Sequence, residues 1–294
     1  MKEVVVCPIC DGQSFKPFLS CKDYTVSQET FHIIECLQCQ FKITSPTPAN
    51  IGDYYLSESY ISHTNKATTL TDLVYLFART FTLKWKANLI LKHSNTSTDF
   101  SLLDYGCGTG EFLKKSQSDG WHIHGVEPSD KARQQATLKT QTAIVASLEV
   151  IPFDNFNTIT LWHVLEHIED LNAIIQKLKA KLSNSGTMFI AVPNSGSWDA
   201  KHYRTYWAGY DVPRHLWHFS QFNMEALLIK NGLRLIRKVP MKLDAFYVSL
   251  LSEAYHKGRS TIVSTLRGAC SGLKSNINAR TNNEYSSLIY IVGK

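Results

Sequence analysis

Between residues 100 and 195 the chain alternates short apolar runs with amphipathic segments. The runs SLLDY, HIHGVE, NTITLWH and GTMFIAVPN predict buried strands. Two of the segments between them, EFLKKSQSDG and SDKARQQATLK, predict helices, the second capped by Ser129. Strands that alternate with helices at this spacing predict βαβ units, and therefore a mainly parallel sheet with helices on both faces.

Three further apolar segments complete the predicted sheet. TAIVA is a short strand or strand edge, RLIRKVP follows a helix that Gly232 ends, and SSLIYIVGK is the last predicted strand. Apolar residues at helical spacing predict helices over 69–92 and over 168–182, with Gly186 just beyond the second. The expected fold class is therefore α/β, a Rossmann-like, doubly wound, mainly parallel seven-stranded sheet.

The first 45 residues carry a different pattern, with one C-x-x-C at Cys7 and Cys10, another at Cys36 and Cys39, and 25 residues between them. Two such pairs supply the four sulfurs of a tetrahedral structural Zn²⁺ site. A redox pair would need a single C-x-x-C that opens a helix after a strand, which is not the context here. We therefore expect a small zinc ribbon over residues 1–45.

Charge and hydropathy limit the expected partners. The net charge is +6, but the first 45 residues hold five acidic residues and four lysines, without the clustered cations of a nucleic-acid reader. The basic excess lies in residues 255–294, whose Ser-, Thr-, Asn- and Gly-rich composition predicts a solvated loop; the sequence leaves the role of its 255–285 segment open.

No apolar run of about 18 residues and no signal-peptide pattern occur, so we expect no membrane span and a cytoplasmic protein. The sequence leaves the oligomeric state open.

The glycine-rich turn GCGTG at 106–110 follows the first strand of the alternating region, and Asp104 precedes it. Glycines let the backbone turn sharply and approach a ligand closely. Glu127 ends the next strand, 19 residues after Gly108, where a carboxylate can accept both hydroxyl hydrogens of a ribose. The spacing differs from the G-x-G-x-x-G of dinucleotide sites, and Asp104 would repel a pyrophosphate but suits an ammonium group. S-adenosylmethionine, with an α-amino group and no phosphate, fits this turn best.

The motifs LLDYGCGTGEFL, VEPS, ITLWHVLEHIED, GTMFIAVPN and VPRHLWHFS resemble, in this order, those of class I S-adenosylmethionine-dependent methyltransferases. The resemblance is closest to the bacterial group with an N-terminal zinc-binding segment. It implies that S-adenosylmethionine and structural Zn²⁺ are the cofactors. The residues that it assigns to S-adenosylmethionine are Asp104, Gly106, Cys107, Gly108, Gly110, Glu127, Pro128, Ser147, Leu148, Trp162 and His163.

The sequence HVLEH at the end of a predicted strand brings His163, Glu166 and His167 to one side of the following turn or helix. With His215 they are the candidate catalytic residues, and His163 is the candidate general base. Ubiquinone-type O-methyltransferases and small-RNA 2′-O-methyltransferases have a similar E-x-x-E-H that binds a divalent metal, but His163 stands where the first Glu would be. Two interpretations stay open: a second metal, held with His215 or His218, or a loop that Glu166 and His167 only brace.

The resemblance also divides the rest of the chain. Residues 46–294 are the expected methyltransferase domain, with a helical cap over 53–95 and an aromatic-rich substrate lid over 195–222. Aromatic and histidine side chains of the cap are expected to close the pocket: Tyr54, Tyr55, Tyr60 and His63.

The expected function is methyl transfer to a small or carrier-linked molecule, with a sugar or cell-envelope precursor as the expected class and O- and C-methylation both open. The alternative is an RNA or protein methyltransferase that uses the ribbon as a docking module.

Overall fold

The structure, a computed structural model, describes residues 1–55, 70–94, 100–258 and 261–294, with the backbone alone for 70–79. Several side chains of the predicted cap therefore lie outside the described residues: Tyr60, His63, Leu70, Leu73, Val74 and Phe77. What the structure describes of the cap is a short 3-10 turn, Ile51–Tyr55, and one long helix.

The described residues form ten strands and eight helices. The strands are β1 (Phe15–Lys22), β2 (Thr30–Cys36), β3 (Lys42–Thr44), β4 (Ser101–Tyr105), β5 (His122–Val126), β6 (Phe156–Trp162), β7 (Leu182–Pro193), β8 (Trp217–His218), β9 (Arg234–Pro240) and β10 (Ser287–Gly293). The helices are α1 (Leu70–His93), α2 (Glu111–Ser118), α3 (Asp130–Thr140), α4 (Leu171–Lys181), α5 (Trp198–Tyr203), α6 (Gln221–Lys230), α7 (Asp244–Lys257) and α8 (Ile262–Asn282).

Six strands form the central sheet in the order β5-β4-β6-β7-β10-β9. The first four run parallel, and β10 is antiparallel to both of its neighbours. The predicted doubly wound α/β fold is confirmed, but the described residues give the central sheet six strands where seven were predicted. The segment TAIVA contributes only one bridge, from Val145 to Val126. Ile144 is the one buried residue of that segment and Val145 is only partly buried, so burial does not hold a longer strand there.

The sheet has a hydrophobic core on each face, because successive strand residues point to opposite sides. Leu102 packs into the core that contains residues of α1, α2 and α3, whereas its neighbour Leu103 packs into the core that contains residues of α4 and α6. The core that contains residues of α4 and α6 also includes Cys7, Cys36 and Phe41 of the N-terminal segment. The predicted ribbon is therefore part of the main body of the protein.

A second sheet joins this ribbon to the predicted lid. Its strand order is β1-β2-β3-β8, and β8 comes from within the 195–222 segment. The Oγ1 of Thr44 donates a hydrogen bond to the carbonyl of His215 (2.7 Å), and the Nδ2 of Asn223 donates one to the carbonyl of Cys39 (2.9 Å). The sheet thus crosses the predicted boundary at residue 45, which remains a prediction.

Two predicted elements differ from the structure. The basic segment after residue 255 is not a solvated loop: α7 and α8 pack against each other, and Thr261 and Ser264 form a capping box at the start of α8. The predicted helix over 168–182 is α4, which begins only at Leu171, because the side chain of Asp170 caps it, and is followed at once by β7.

The guanidinium of Arg214 is the main polar link between ribbon and lid. It is 1% exposed and pairs with Asp23, which follows β1, at 3.0 Å and with Asp211 of the lid at 2.6 Å. Burial alone would lower the pKa of Arg214, but the two carboxylates raise it overall. The same pairing holds the pKa of Asp23 below its usual value against the effect of its own burial.

We expect Arg214→Ala to lower the free energy of unfolding by about 3–5 kcal/mol, because it leaves buried carboxylates without their cation. Urea unfolding followed by circular dichroism measures the change. The matched control is Lys177→Ala, which breaks an exposed pair with Glu149 and should change the free energy of unfolding far less. Equal losses in both variants would show that burial of the Arg214 pair does not matter.

Candidate functional site

The glycine-rich turn joins β4 to α2 at the carboxyl end of the central sheet. Gly106, Gly108 and Gly110 all have left-handed φ angles, of 75°, 55° and 79°. A methyl group added to Gly106 would collide with Val164, and one added to Gly110 would collide with Ala136. One added to Gly108 would meet nothing within 4 Å. The turn therefore exposes bare backbone to open space at Gly108, where a ligand can approach it.

Asp104 lies directly before this turn and is 2% exposed. Its Oδ1 accepts a hydrogen bond from the Oγ1 of Thr160 at 2.7 Å. Burial raises the pKa of Asp104 to about 7, although the hydrogen bond from Thr160 and the charge of Lys86 oppose the rise. A nearby cation would restore its negative charge, so the residue is suited to a positively charged ligand group.

Glu127 is held beside the turn by backbone amides. Its carboxylate accepts hydrogen bonds from the N–H of Gly108 and the N–H of Ser129, both at 2.9 Å. Its own N–H donates to the carbonyl of Val145, which positions the loop containing the predicted adenine contacts. A carboxylate has about four acceptor positions, so Glu127 keeps capacity for ribose hydroxyls.

The other predicted cofactor residues lie at the same edge of the sheet but differ in exposure. Pro128 is exposed and Ser147 is partly exposed, so both can contact a ligand. The side chain of Leu148 is buried in the core with α4 and α6, and Cys107 is buried beneath the turn. Cys107 can therefore face the cofactor only through its backbone, and burial raises the pKa of its thiol.

Trp162 ends β6 and packs edge-on against Phe112, with 5.1 Å between ring centroids. Its indole N–H is buried and has no hydrogen-bond partner among the described residues. The ammonium of Lys86, on α1, lies 4.4 Å from the centroid of this ring. Burial lowers the pKa of Lys86, and the charges of Asp244 and Asp104 partly offset that effect. A cation thus stands opposite Asp104 at the site.

His163 follows Trp162 and has a left-handed φ of 56°. Its Nε2 lies 3.0 Å from the carboxylate of Asp244, and its Nδ1 lies 3.4 Å from that of Glu166. Burial lowers the pKa of His163, but the two carboxylates more than compensate and raise it to about 9. His163 is therefore an imidazolium at neutral pH, which cannot accept a proton. This contact with two carboxylates bears on the predicted role of general base, which stays a prediction.

Glu166 is fully buried, and neither of its carboxylate oxygens accepts a hydrogen bond from the described residues. One of those oxygens lies 4.0 Å from the Nε2 of His215. Ligand atoms of Glu166, His167 and His215 all lie within 4.8 Å of one another. The structure thus brings all four predicted catalytic residues together, since His163 touches the same carboxylate.

Both histidines of this cluster use their Nδ1 for other contacts. The Nδ1 of His167 contacts the carbonyl of Arg214 at 3.1 Å, and that of His215 contacts the carbonyl of Gly209 at 2.9 Å. Since a carbonyl only accepts, both Nδ1 atoms are donors. Burial and the charge of His215 lower the pKa of His167 to about 4, so its Nε2 carries a free lone pair at neutral pH.

Other residues from the sequence analysis lie elsewhere. The Nε2 of His218 contacts Thr44 at 2.9 Å and is not part of the cluster. Tyr55 does reach it, with its hydroxyl 2.9 Å from the Nδ1 of His167, whereas Tyr54 donates to Glu29 of the ribbon. Aromatic side chains of the predicted lid pack in one core with ribbon residues: Tyr203, Trp207 and Tyr210.

The four ribbon cysteines form a compact cluster. The Sγ atoms of Cys7 and Cys39 are 3.5 Å apart, as are those of Cys10 and Cys36. All four sulfurs lie within 4.8 Å of one another. Tetrahedral Zn²⁺ with Zn–S bonds of about 2.3 Å needs sulfurs roughly 3.8 Å apart, so this donor set fits a structural zinc ion.

Comparison with known proteins identifies the family. A family model described as a methyltransferase domain matches residues 71–238, more than half of the chain. The chain belongs to the methyltransferase domain family. This confirms the resemblance to S-adenosylmethionine-dependent methyltransferases that its motifs indicated. Among the described residues of this methyltransferase, no helix has the length and apolarity needed to cross a membrane.

Curated relatives match only part of the methyltransferase. The ubiquinone biosynthesis O-methyltransferase of Histophilus somni is 30% identical over 125 residues, which cover 36% of this chain and 50% of that protein. The enzyme of the same name from Rhodopseudomonas palustris is 29% identical over 100 residues, covering 32% of this chain and 40% of the relative. The chain thus spans about half the length, or less, of the curated relatives that it matches.

A solved structure shares the fold along most of its length. The magnesium protoporphyrin IX methyltransferase of Synechocystis, determined with bound S-adenosylhomocysteine, superposes with a TM-score of 0.54. The match covers 83% of this chain and 99% of that one at 13% identity, so it supports the fold alone.

Sequence reasoning missed several residues of the site. Lys86 lies near the start of the family match and Asp244 lies just beyond its end, and no motif marks either of them. Asp199 is fully buried and accepts hydrogen bonds from Trp207 of the lid, Ser275 of α8 and Ser286 before β10. Of the three, only Asp199 had a signal in the sequence, because an acid within an aromatic segment suggests a buried hydrogen-bond acceptor.

We expect the purified protein to contain about one zinc ion per chain. Cys36→Ser removes a thiolate and should lower the zinc content and the melting temperature, because structural zinc contributes to folding. Elemental analysis by mass spectrometry measures the metal. The control is Cys270→Ser, an exposed thiol outside the cluster, which should leave zinc content unchanged. A zinc content insensitive to Cys36→Ser would rule out this site.

We also expect the stability to fall as the pH rises from about 7 to 9. The pKa of His163 is raised to about 9 from an ordinary value of 6.5. The stabilisation is complete below the unfolded pKa and is lost as the pH passes through the folded pKa. Urea midpoints across this range measure the effect. In Asp244→Asn, which removes one carboxylate partner, the dependence on pH should be shallower; an unchanged slope would contradict the assignment.

Proposed function

We propose that this methyltransferase binds S-adenosylmethionine at the glycine turn and transfers its methyl group to a hydroxyl of a small or carrier-linked molecule. The observation that carries the proposal is the open space over Gly108, bordered by the carboxylates of Asp104 and Glu127. Two carboxylates would repel a phosphorylated nucleotide, but they suit an ammonium group and a ribose. Lys86, across from Asp104, is available for the cofactor's own carboxylate.

The name of the curated relatives favours O-methylation over C-methylation. A hydroxyl acceptor needs a group that takes its proton, and His163 as an imidazolium is not that group. The Nε2 of His167 carries a lone pair and lies in the same cluster, so His167 would be the base when no metal ion occupies that nitrogen. His163 is instead held between the carboxylates of Asp244 and Glu166, and we propose that it orients the acceptor.

The same cluster favours the interpretation in which it holds a second metal ion over the interpretation in which Glu166 and His167 only brace the loop. Glu166 presents two carboxylate oxygens that accept no hydrogen bond from the described residues, while His167 and His215 present Nε2 atoms whose rings are fixed by carbonyls. These three residues would hold a divalent cation, which would polarise the acceptor oxygen when bound. Without a cation, His167 is left to act on the acceptor alone.

The alternative, an RNA or protein methyltransferase with a docking ribbon, has less support. The ribbon shares its sheet with β8 and its core with α4 and α6. We propose that its zinc ion stabilises the lid, and that the protein acts in the cytoplasm on a small acceptor. The lid aromatics that suggested a sugar are mostly buried against the ribbon, so a sugar or cell-envelope precursor remains one acceptor class among others.

Calorimetry with S-adenosylhomocysteine tests the cofactor site. We expect Asp104→Asn to weaken binding at least about tenfold, because one charged partner of the ammonium is lost. Binding should also weaken as the pH falls from 8 to 6. Asp104, with a pKa of about 7, becomes protonated there in the free protein and must lose that proton to bind. This dependence on pH should be absent from Asp104→Asn.

Gly108→Ala offers a second test with a matched control. Gly108 and Gly120 both have left-handed φ and no atoms near an added methyl group, so alanine should strain the two turns alike. Only Gly108→Ala should lose affinity for S-adenosylhomocysteine.

Incubation of a fractionated bacterial extract with methyl-labelled S-adenosylmethionine tests the acceptor class. We expect label in the small-molecule or lipid fraction and none with Asp104→Asn. Label in RNA or protein would support the alternative function. Unaltered affinity in Asp104→Asn and Gly108→Ala together would overturn the cofactor assignment.

A further inference from the structure

Helix α8 carries an apolar stripe on its outer surface. The large apolar residues of the stripe are strongly exposed: Ile262 at 83%, Leu266 at 63%, Leu273 at 53% and Ile277 at 49%. Their spacings of four, seven and four place them along one side of the helix. Exposed apolar residues that line up in this way mark an interaction surface more often than scattered ones do.

The opposite side of α8 is already used for packing. Its buried residues are small: Ser264, Gly268, Gly272, Ser275 and Ala279. They allow α7 to approach so closely that a methyl group on Gly268 would lie 2.8 Å from the Cα of Leu250. The stripe is therefore not the side of α8 that packs in the core, because α7 already covers that side.

The charges around the stripe have one sign. Arg267 and Lys274 each follow a stripe residue directly and so flank it on the same side, and Arg280 lies one turn beyond Ile277. No acidic residue occurs between Ile262 and Asn282. Lys274 also lies 5.0 Å from the ring of Trp198, which leaves its positive charge in place.

These observations distinguish three kinds of partner. A second copy of α8 would bring two sets of cations together without any acid from either helix, which is unfavourable. A nucleic acid would use the cations, but it offers nothing to cover four large aliphatic side chains. A membrane surface with anionic lipids matches both the apolar stripe and the cations. Its acyl chains take up the aliphatic side chains, and its headgroups pair with the cations.

We propose that α8 is a membrane-docking helix that lies in the interface of an anionic lipid bilayer, with the stripe of Ile262, Leu266, Leu273 and Ile277 turned toward the acyl chains. The contact is peripheral and reversible, since the buried apolar area is limited to one face of one helix.

The docking face is connected to the functional site. α7 runs antiparallel to α8, and the Nδ2 of Asn276 donates a hydrogen bond to the carbonyl of Lys242, just before α7. Two residues further along, Asp244 pairs with His163. The C-terminal half of the stripe therefore adjoins the end of α7 that holds the site. If the proposed function is correct, docking brings the site to acceptors that reside in a membrane, such as a lipid-linked carrier.

Vesicle co-sedimentation of the full chain tests the proposal without using activity. The probe is phosphatidylcholine vesicles with about 30% phosphatidylglycerol at about 0.15 M salt, compared with pure phosphatidylcholine. We expect binding to the anionic vesicles and much weaker binding to the neutral ones. The double variant Leu266→Gln/Leu273→Gln should bind at least about tenfold more weakly, because two apolar side chains no longer enter the bilayer.

The control for apolarity is Phe222→Gln/Ile229→Gln on α6, which removes two equally exposed apolar side chains and should leave binding unchanged. The control for charge compares Arg267→Gln/Arg280→Gln, expected to weaken binding to anionic vesicles about 25-fold, with Lys114→Gln/Lys131→Gln, expected to have little effect. All substituted side chains are exposed, and thermal melts should confirm that each variant folds.

Three outcomes would overturn the proposal. The first is no binding to anionic vesicles. The second is a dimer, seen in sedimentation velocity, that Leu266→Gln/Leu273→Gln dissociates, which would assign the face to a second copy. The third is tight, salt-sensitive binding of RNA that depends on Arg267 and Arg280 but not on Leu266 and Leu273. Because none of these readouts involves S-adenosylhomocysteine, failure here is distinct from failure of the proposed function.

Discussion

The buried guanidinium of Arg214 is the interaction on which the arrangement of ribbon, lid and site depends. Its side chain pairs with Asp23 after β1 and with Asp211 of the lid. Its backbone carbonyl accepts the hydrogen bond that fixes the ring of His167. One residue thus connects the N-terminal lobe, which carries the four-cysteine cluster, to a side chain of the Glu166, His167 and His215 cluster. A guanidinium with this many partners holds them at defined distances, because its donors are planar and rigid.

The carboxyl edge of the central sheet gathers charges whose balance depends on the ligand. Asp104, Glu127 and Asp244 lie there with Lys86 and the imidazolium of His163. In the free protein Asp104 titrates near neutrality, because burial opposes its charge more strongly than Lys86 supports it. An incoming cation would shift that balance toward the ionised carboxylate. The site is therefore prepared to recognise a positively charged ligand through ionisation of one side chain.

Much of the fold was predictable from sequence, because parallel strands and their helices leave strong local patterns. The runs around Leu103 and Ile190 predict buried strands, and the turn at 106–110 predicts the ligand edge. The basic segment was wrongly expected to be a loop. Its helix α8 turns small residues toward α7 and apolar residues toward the outside; the apolar residues do recur at helical spacing, but the Ser-, Asn- and Gly-rich composition between them favours a loop. The site was predictable where residues are close in sequence, as in HVLEH. The pairing of Asp244 with His163 spans 81 residues and follows from tertiary packing alone.

The strand β8 has a consequence for how the chain is made. Thr44 of β3 contacts His218 of β8, a residue 174 positions later. A ribosome that adds about 5–20 residues per second reaches β8 roughly 10–35 s after it has finished β3. During that interval the edge of β3 that pairs with β8 is unpaired, and Asp23 lacks the guanidinium of Arg214 as its partner. Early zinc capture by the four cysteines would hold the lobe in shape until its partner emerges, so metal supply during synthesis would govern how much of the protein reaches its final form.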